Sequence, residues 1–147
     1  MALTDVFLTL SEPEFAQLLG SVSMGKLKTY QIYDRIKTRT HLAKLNSENL
    51  QKAAPRLWTR LVDKDDEFAQ DISQAVLVCH LDMIVAVLNF LGIPHEDGFF
   101  AKEIDATPYL TDGWQERVIE KFKGVYPDAL VRFYTAHLAW ELLPKKS

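Results

Sequence analysis

The sequence has few of the residues that cross-link or interrupt a small protein. Its 147 residues include one cysteine, Cys79, with only six glycines and six prolines. A single thiol excludes an intramolecular disulfide and is typical of a reducing compartment. The first ten residues contain Asp5 and no lysine or arginine, so they do not have the composition of a signal peptide. We therefore expect a cytoplasmic protein.

Signatures of the common enzyme chemistries are missing as well. The sequence has no complete Walker-type phosphate loop, no dinucleotide-binding glycine fingerprint, no Cys-x-x-Cys, no His-Glu-x-x-His and no Gly-x-Ser-x-Gly. No cofactor and no particular reaction is predicted. These absences favour a non-catalytic protein.

Apolar residues, by contrast, are numerous enough for an ordered core. Hydrophobic residues make up 48% of the chain and charged residues 25%. The apolar positions recur at helical spacing, and no run alternates between apolar and polar residues as a strand would. The sequence predicts an all-α fold, a single compact multi-helix bundle of about six helices around a hydrophobic central helix. Residues 1–147 are expected to form a single helical domain.

Capping and breaking residues predict the helix boundaries. Ser11 and Glu14 form a capping box, Asn46 and Ser47 mark a helix end and a new N-cap, and Gly92 followed by Pro94 ends the central helix. The expected helices are Ser11 to Gly20, Met24 to Leu45, Glu48 to Ala54 with a kink or a new start at Pro55, Asp66 to Leu91, a short helix after Thr111, and Asp128 to Leu143. Residues 94–110 are expected to form a long ordered loop.

The central helix is apolar enough to require a membrane test. Between Ala75 and Ile93 the clearly polar residues are His80, Asp82 and Asn89. An aspartate inside a membrane span costs about 2.5–3.5 kcal/mol, and no lysine or arginine flanks the segment as an anchor. We therefore interpret the segment as a buried core helix and expect no membrane contact.

Rotation along the central helix separates its polar residues from its apolar ones. At about 100° per residue, one line of side chains is expected to face solvent. Its members are Asp71, Gln74, Asp82 and Asn89. His80 lies nearly opposite this line, among apolar residues. The pattern therefore predicts that His80 lies in the core.

The last helix has a second set of polar groups on its inner face. His137 and Glu141 are four residues apart and so are neighbours on the helix surface, and Tyr134 lies on the same side. If this helix packs on the central one, these side chains meet His80. Three interpretations stay open: a hydrogen-bonded core, a general base at His137 oriented by Glu141, or a metal site with a third ligand from His80, His41 or His95.

Charge is unevenly distributed, although the net charge is only −3. Residues 24–61 contain nine basic and two acidic side chains, whereas residues 62–105 contain two basic and ten acidic ones. Lys28, Arg35 and Arg39 form one edge of the basic segment and are candidates for an interaction surface. This edge is either a nucleic-acid face or, as the acidic net charge favours, a helix face that complements the acidic segment.

The loop after the central helix is the other candidate interaction site. Phe99 and Phe100 follow an Asp-Gly turn signal, and His95 lies shortly before it. Two phenylalanines in such a place form either an exposed tip that binds a partner or a plug that anchors the loop on the bundle.

These features favour a soluble, non-catalytic module for macromolecular interaction, with an unknown protein or a second copy of the chain as partner. The first alternative is a small-molecule or metal-binding bundle, which would include an enzyme, with a site at His80, Tyr134, His137 and Glu141. The second alternative is nucleic-acid binding through residues 24–61, which the acidic net charge disfavours.

Overall fold

The computed structural model describes residues 2–40, 44–100 and 104–142. Within these ranges the chain forms ten helices and no strand, which confirms the all-α prediction and shows that about six helices is too low a number. In chain order the helices are α1 (Leu3–Phe7), α2 (Glu12–Gly20), α3 (Met24–Thr29), α4 (Tyr33–Thr40), α5 (Ser47–Lys52), α6 (Ala54–Val62), α7 (Asp66–Val78), α8 (Leu81–Leu91), α9 (Trp114–Phe122) and α10 (Asp128–Leu142).

The helices belong to two compact units. The first unit comprises Ala2–Cys79 and contains the first seven helices. The second unit begins at His80 and contains α8, α9 and α10. The single helical domain expected from the sequence stays a prediction.

The core of the first unit combines aromatic and aliphatic side chains. α2 packs against α5 and α6, while α7 packs against α1, α4 and α6. The rings of Phe7 and Phe15 meet edge to face with centroids 5.7 Å apart, and the Trp58 ring lies 5.5 Å from that of Phe15. Such ring pairs contribute about 0.5–1.5 kcal/mol each beyond the apolar area that they bury. Three ion pairs, of Arg35 with Asp71 and of Arg39 with Asp71 and Glu67, join α4 to α7.

The central helix is not continuous. The sequence predicts one helix over residues 66–91, but α7 and α8 are separate. Between them His80 adopts φ −133° and ψ 38°, outside the helical region. Cys79 Sγ accepts the Ser23 N–H (3.1 Å) and donates to the Ala75 carbonyl (3.1 Å). Because neither glycine nor proline lies at the break, it depends on contacts such as that with Ser23, which is distant in the sequence.

The second predicted helix, residues 24–45, is also divided. After α3, Gln31 adopts a left-handed conformation with φ 61°. The Ile32 N–H donates to the Leu27 carbonyl (2.8 Å) and the Gln31 N–H to the Lys28 carbonyl (3.2 Å), which is a Schellman motif. The side chains of Leu27 and Ile32 are both buried. Glycine usually occupies the left-handed position, so a glutamine there is no signal of a helix end.

Other boundaries agree with the capping residues. Ser11 Oγ accepts the Glu14 N–H (3.3 Å) and the Glu14 carboxylate accepts the Ser11 N–H (2.9 Å), so the predicted capping box is present. Asn46 caps α5 by accepting the Asn49 N–H (2.7 Å). Pro55 lies in the first turn of α6 and therefore begins a helix rather than kinking one.

The second unit is organised around α9, which packs against both α8 and α10. Gly92, with φ 81°, ends α8 as the sequence predicts. The Phe122 ring of α9 lies 5.9 Å from that of Phe90 and 5.7 Å from that of Tyr126. Residues 94–100 and 104–110 contain no helix, in agreement with the predicted loop.

Among the described helices, none is by itself long and apolar enough to cross a membrane. α7 and α8 reach that length and apolarity only when they are counted together as a broken span.

Candidate functional site

His137 lies in the interior of the second unit, as the sequence predicts. Its side chain is 10% exposed, and its ring centroid lies 6.0 Å from that of Phe133 and 5.5 Å from that of Trp140. Burial lowers the pKa of His137 to about 4, because an imidazolium charge is poorly solvated there. The imidazole is therefore neutral near neutral pH.

Tyr134 and Glu141 are the neighbours of His137 on α10. His137 Nδ1 is 3.6 Å from a Glu141 carboxylate oxygen, beyond hydrogen-bond range. Burial raises the pKa of Tyr134 well above its usual range, and the charge of Glu141 adds to this effect. Within the described part of the chain, Tyr134 Oη and His137 Nδ1 have no hydrogen-bond partner. Such buried polar atoms are uncommon and are usually satisfied by water or a ligand.

His80, the fourth predicted member of this group, lies at the N-terminal end of α8. It is half-buried, whereas the sequence predicts a core position. Burial lowers the pKa of His80, and the charge of Asp82 partly opposes this shift. Among the described helices of the second unit the principal neighbour of α10 is α9 rather than α8, the part of the predicted central helix that belongs to this unit. The structure places the other three candidates on one helix, and the four-residue site stays a prediction.

Metal-ligating side chains are scattered in the part of the chain that the structure describes. Residues 2–40, 44–100 and 104–142 contain no group of three or more histidine, cysteine, aspartate or glutamate side chains suited to a metal ion. His41, which the sequence offers as a third ligand, lies outside the described residues. His95, the other alternative, hydrogen-bonds within its own loop and to the end of α8.

The line of polar residues predicted to face solvent is exposed at three of its four positions. These are Gln74, Asp82 and Asn89. The prediction is wrong for Asp71, which is buried because α4 covers this part of α7. Arg39 Nε lies 3.2 Å from one oxygen of Asp71, and Arg35 Nη1 lies 3.7 Å from the other. Two guanidinium groups thus replace the water expected around this carboxylate.

The candidate cations of the basic edge are largely engaged inside the first unit. Arg39 Nη2 also forms an ion pair with Glu67 (2.9 Å), and this contact raises the pKa of Arg39. Lys28 Nζ lies 5.0 Å from the ring centroid of Tyr33, in a cation–π contact. The ion pairs of Arg35 and Arg39 with α7 favour the interpretation of this edge as a complement to the acidic segment, whereas Lys28 contacts no carboxylate among the described residues.

Two arginines that the sequence analysis missed lie at the same edge. Arg56 Nη2 donates to the Thr40 carbonyl (3.0 Å) and Arg60 Nη1 donates to the Arg39 carbonyl, so both satisfy the last carbonyl groups of α4. Arg60 also forms an ion pair with Asp65 (2.7 Å). The four-residue spacing of the two arginines on α6 is visible in the sequence, but the helix end that they reach depends on tertiary packing.

An open cleft of about 630 Å³ lies beside these arginines. It is lined by Asp34, Arg35, Thr38, Arg39, Arg60 and Asp71. Carboxylates neutralise the guanidinium groups here, and the C-terminal end of α4 adds partial negative charge. The cleft is therefore a poor site for a phosphate or a nucleic-acid backbone.

The loop after α8 contains a tight turn, which carries the exposed aromatic residue Phe99. Glu96 and Phe99 exchange two backbone hydrogen bonds, of 2.7 and 2.9 Å. Asp97 and Gly98 between them have φ 52° and 92°, which is the pattern of a type I′ turn. Asp-Gly is a preferred pair for this turn, so the turn signal in the sequence is confirmed. We name residues 95–99 the Phe99 turn.

His95 fixes the Phe99 turn to α8. Its Nδ1 accepts the Gly98 N–H (3.0 Å), and its Nε2 lies 2.7 Å from Asn89 Oδ1. Because Nδ1 is the acceptor, the ring proton of the neutral imidazole lies on Nε2 and is donated to Asn89. A Cβ at Gly98 would lie 3.3 Å from a methyl group of Ile84, so the turn backbone lies directly on α8.

The two phenylalanines of this loop differ in exposure. Phe99 is 57% exposed, whereas Phe100 is half-buried. Gly98 and His95 provide the anchor of the loop, and the Phe99 ring projects into solvent. Of the two interpretations of Phe99 that the sequence leaves open, its exposure favours an exposed tip that binds a partner.

Comparison with protein-family models, with curated proteins and with solved structures finds no match for this chain.

Proposed function

We propose that this protein is a non-catalytic module for macromolecular interaction and that the Phe99 turn is its contact element. The proposal rests on the exposure of Phe99 on a backbone that His95 and Gly98 fix to α8. Large aromatic side chains on a well-ordered support dominate the binding energy at many protein interfaces. We place the interaction in the cytoplasm, in keeping with the single thiol.

Two physical features of the turn favour binding. Complete burial of a phenylalanine side chain contributes about 1.5–3 kcal/mol, and more than half of Phe99 is still available for burial. The turn is also already ordered, because Glu96 and Phe99 are joined by two backbone hydrogen bonds. Ordering a flexible loop would reduce affinity, and a rigid loop avoids most of that cost.

The charges beside Phe99 indicate the chemistry of its partner. Glu96 and Asp97 are exposed, and within the described residues neither carboxylate has an ion-pair partner. A nucleic acid or an acidic membrane surface would be repelled by them. A protein surface with an apolar contact area and neighbouring lysine or arginine side chains matches both the ring and the charges. Nucleic-acid binding through residues 24–61 is therefore not part of the proposal.

Site-specific photo-crosslinking in cells whose genome encodes the protein tests this proposal. The photoreactive residue p-benzoylphenylalanine replaces Phe99 in one variant and Val62 in a matched control. Val62 is 51% exposed and lies in the first unit. We expect a discrete adduct, identified by mass spectrometry, from position 99 and none from position 62.

A second change to the turn provides a further control. Gly98→Val should abolish the adduct at position 99, because a β-branched residue does not tolerate φ 92° and its Cβ would press on Ile84. No adduct at position 99, or the same adducts from both positions, would contradict the proposal.

A small-molecule site on α10 is a second candidate function. Tyr134 Oη and His137 Nδ1, which lack hydrogen-bond partners in the described residues, favour it because buried polar atoms are usually satisfied by water or a ligand. Native mass spectrometry with elemental analysis of the purified protein is the test. An additional mass that is absent from the His137→Phe variant would support this candidate, and a ligand-free, metal-free chain would exclude it.

A further inference from the structure

We infer that the surface bound by the Phe99 turn belongs to a second copy of this chain and consists of Lys26 and Tyr30, which we name the α3 ridge. This inference rests on the proposed function and identifies its partner. The observations behind it are an acidic and aromatic surface in one unit and a basic and aromatic surface in the other.

The α3 ridge has an exposed cation and an exposed aromatic ring on an ordered support. Lys26 is exposed on α3, and Tyr30, four residues later on the same side at the end of this helix, is 38% exposed. The Schellman motif at Gln31 fixes the backbone that follows Tyr30.

Much of the rest of the basic segment is occupied by internal partners. Arg39 is bound by Asp71 and Glu67, and Arg60 by Asp65. No carboxylate among the described residues lies within ion-pair distance of Lys26 or Lys28. The nearest acidic residue in the sequence is Asp34, an exposed residue in the first turn of α4. The α3 ridge is therefore a cationic surface that folding leaves available.

The Phe99 turn and the α3 ridge match each other in chemistry. Each presents one exposed aromatic ring beside exposed charge, which comes from the Glu96 and Asp97 carboxylates in the turn and from the Lys26 ammonium group in the ridge. Contact between them would pair opposite charges around two aromatic rings. Charge complementarity between the turn and the ridge also accelerates association.

Sedimentation velocity of the full chain at several concentrations measures the association. We expect the wild-type protein to self-associate at low salt and to dissociate as salt screens its exposed charges. Phe99→Ala should raise the dissociation constant roughly thirtyfold, the loss expected for an aromatic anchor at the centre of an interface.

An exchange of charges identifies the two surfaces. The turn variant carries Glu96→Lys and Asp97→Lys, and the ridge variant carries Lys26→Glu. Each variant alone should be monomeric, because like charges would meet at the contact. An equimolar mixture should associate again, because the reversed turn of one chain then meets the reversed ridge of the other.

A matched control separates this contact from a general effect of net charge. Glu116→Lys with Glu120→Lys reverses two exposed carboxylates of α9, so it changes the net charge by the same amount as the turn variant. This control should self-associate like the wild type. A control that is monomeric, or a mixture of turn and ridge variants that does not associate, would overturn the inference.

The inference and the proposed function fail in different ways. A wild-type chain that stays monomeric up to about 1 mM at low salt overturns the inference, because even a weak specific contact is populated at that concentration. If the photo-adduct at position 99 then contains a different protein, the proposed function stands without the second copy. If position 99 yields no adduct, both are refuted.

Discussion

Acidification is expected to destabilise the second unit through His137. The pKa of this histidine is 6.5 in an exposed peptide and about 4 in the folded protein, where burial opposes the imidazolium charge. Between these two pH values the unfolded chain binds a proton that the folded chain does not bind. The free energy of unfolding therefore falls as the pH falls from 6.5 to about 4, and His137 contributes no pH dependence above this range.

The two pKa values set the size of this effect. Their difference, 6.5 − 4 = 2.5, corresponds to about 3 kcal/mol. Glu141 acts in the opposite direction, because its carboxylate lies 3.6 Å from Nδ1 and would stabilise the imidazolium. The Glu141 side chain is 38% exposed whereas that of His137 is 10% exposed, so we expect burial to be the larger effect and about 3 kcal/mol to be an upper value.

Urea unfolding of the wild type and of His137→Gln from about pH 4 to about pH 7 measures the effect. Glutamine keeps a polar side chain of similar size but does not titrate, and the other titratable groups are common to both proteins. The free energy of unfolding of the wild type should fall relative to the variant by up to about 3 kcal/mol over this range. Parallel stability curves would refute the burial argument, and a relative gain by the wild type would show that Glu141 outweighs burial.

Three further changes test the packing and the turn. Asp71→Ala should lower the free energy of unfolding, measured by urea unfolding, by about 1–3 kcal/mol, because the Asp71 carboxylate is 11% exposed and hydrogen-bonded. Glu67→Ala, at a side chain that is 77% exposed, should change this free energy little. Equal losses in the two variants would contradict the assignment. Gln31→Gly should raise the free energy of unfolding by about 0.5–1 kcal/mol, because φ 61° is strained for glutamine but not for glycine. A decrease in this free energy would contradict the left-handed conformation at residue 31. His95→Ala should accelerate hydrogen exchange at the Gly98 N–H, which loses its acceptor, and unchanged exchange would show that the imidazole does not hold the turn.

The helix ends that could be predicted are those determined by neighbours in the sequence. The capping box at Ser11, the cap at Asn46 and the left-handed Gly92 are all local features, and all three are present. The two missed breaks are of another kind. Gln31 is left-handed without being glycine, and the backbone N–H of Ser23 reaches the Cys79 thiol from a distant part of the sequence. Helical periodicity continues through both positions, so it cannot show either break.

The candidate site follows the same division. The type I′ turn could be predicted because Asp97 and Gly98 determine its backbone conformation locally. The exposure of Phe99 could not, since it depends on whether the turn backbone or the ring lies on α8. Rotation along the helix groups Asp71 with the exposed polar residues of the central helix, but it cannot show that α4 covers this position. The burial of this carboxylate therefore becomes visible only in the tertiary structure.

Ionic strength should separate the charges that hold the fold from those that we assign to docking. The pair between Arg39 and Asp71 joins atoms 3.2 Å apart at a carboxylate that is nearly buried, whereas Glu96 and Lys26 are exposed. The screening length falls from about 10 Å at 0.1 M salt to about 3 Å at 1 M, and buried pairs are screened less than exposed ones. Over this range we expect self-association to weaken roughly tenfold or more, while the free energy of unfolding changes by less than about 1 kcal/mol. Sedimentation and urea unfolding in the same buffers measure both quantities. Unfolding promoted by salt together with unchanged association would show that the two sets of charges have the opposite roles.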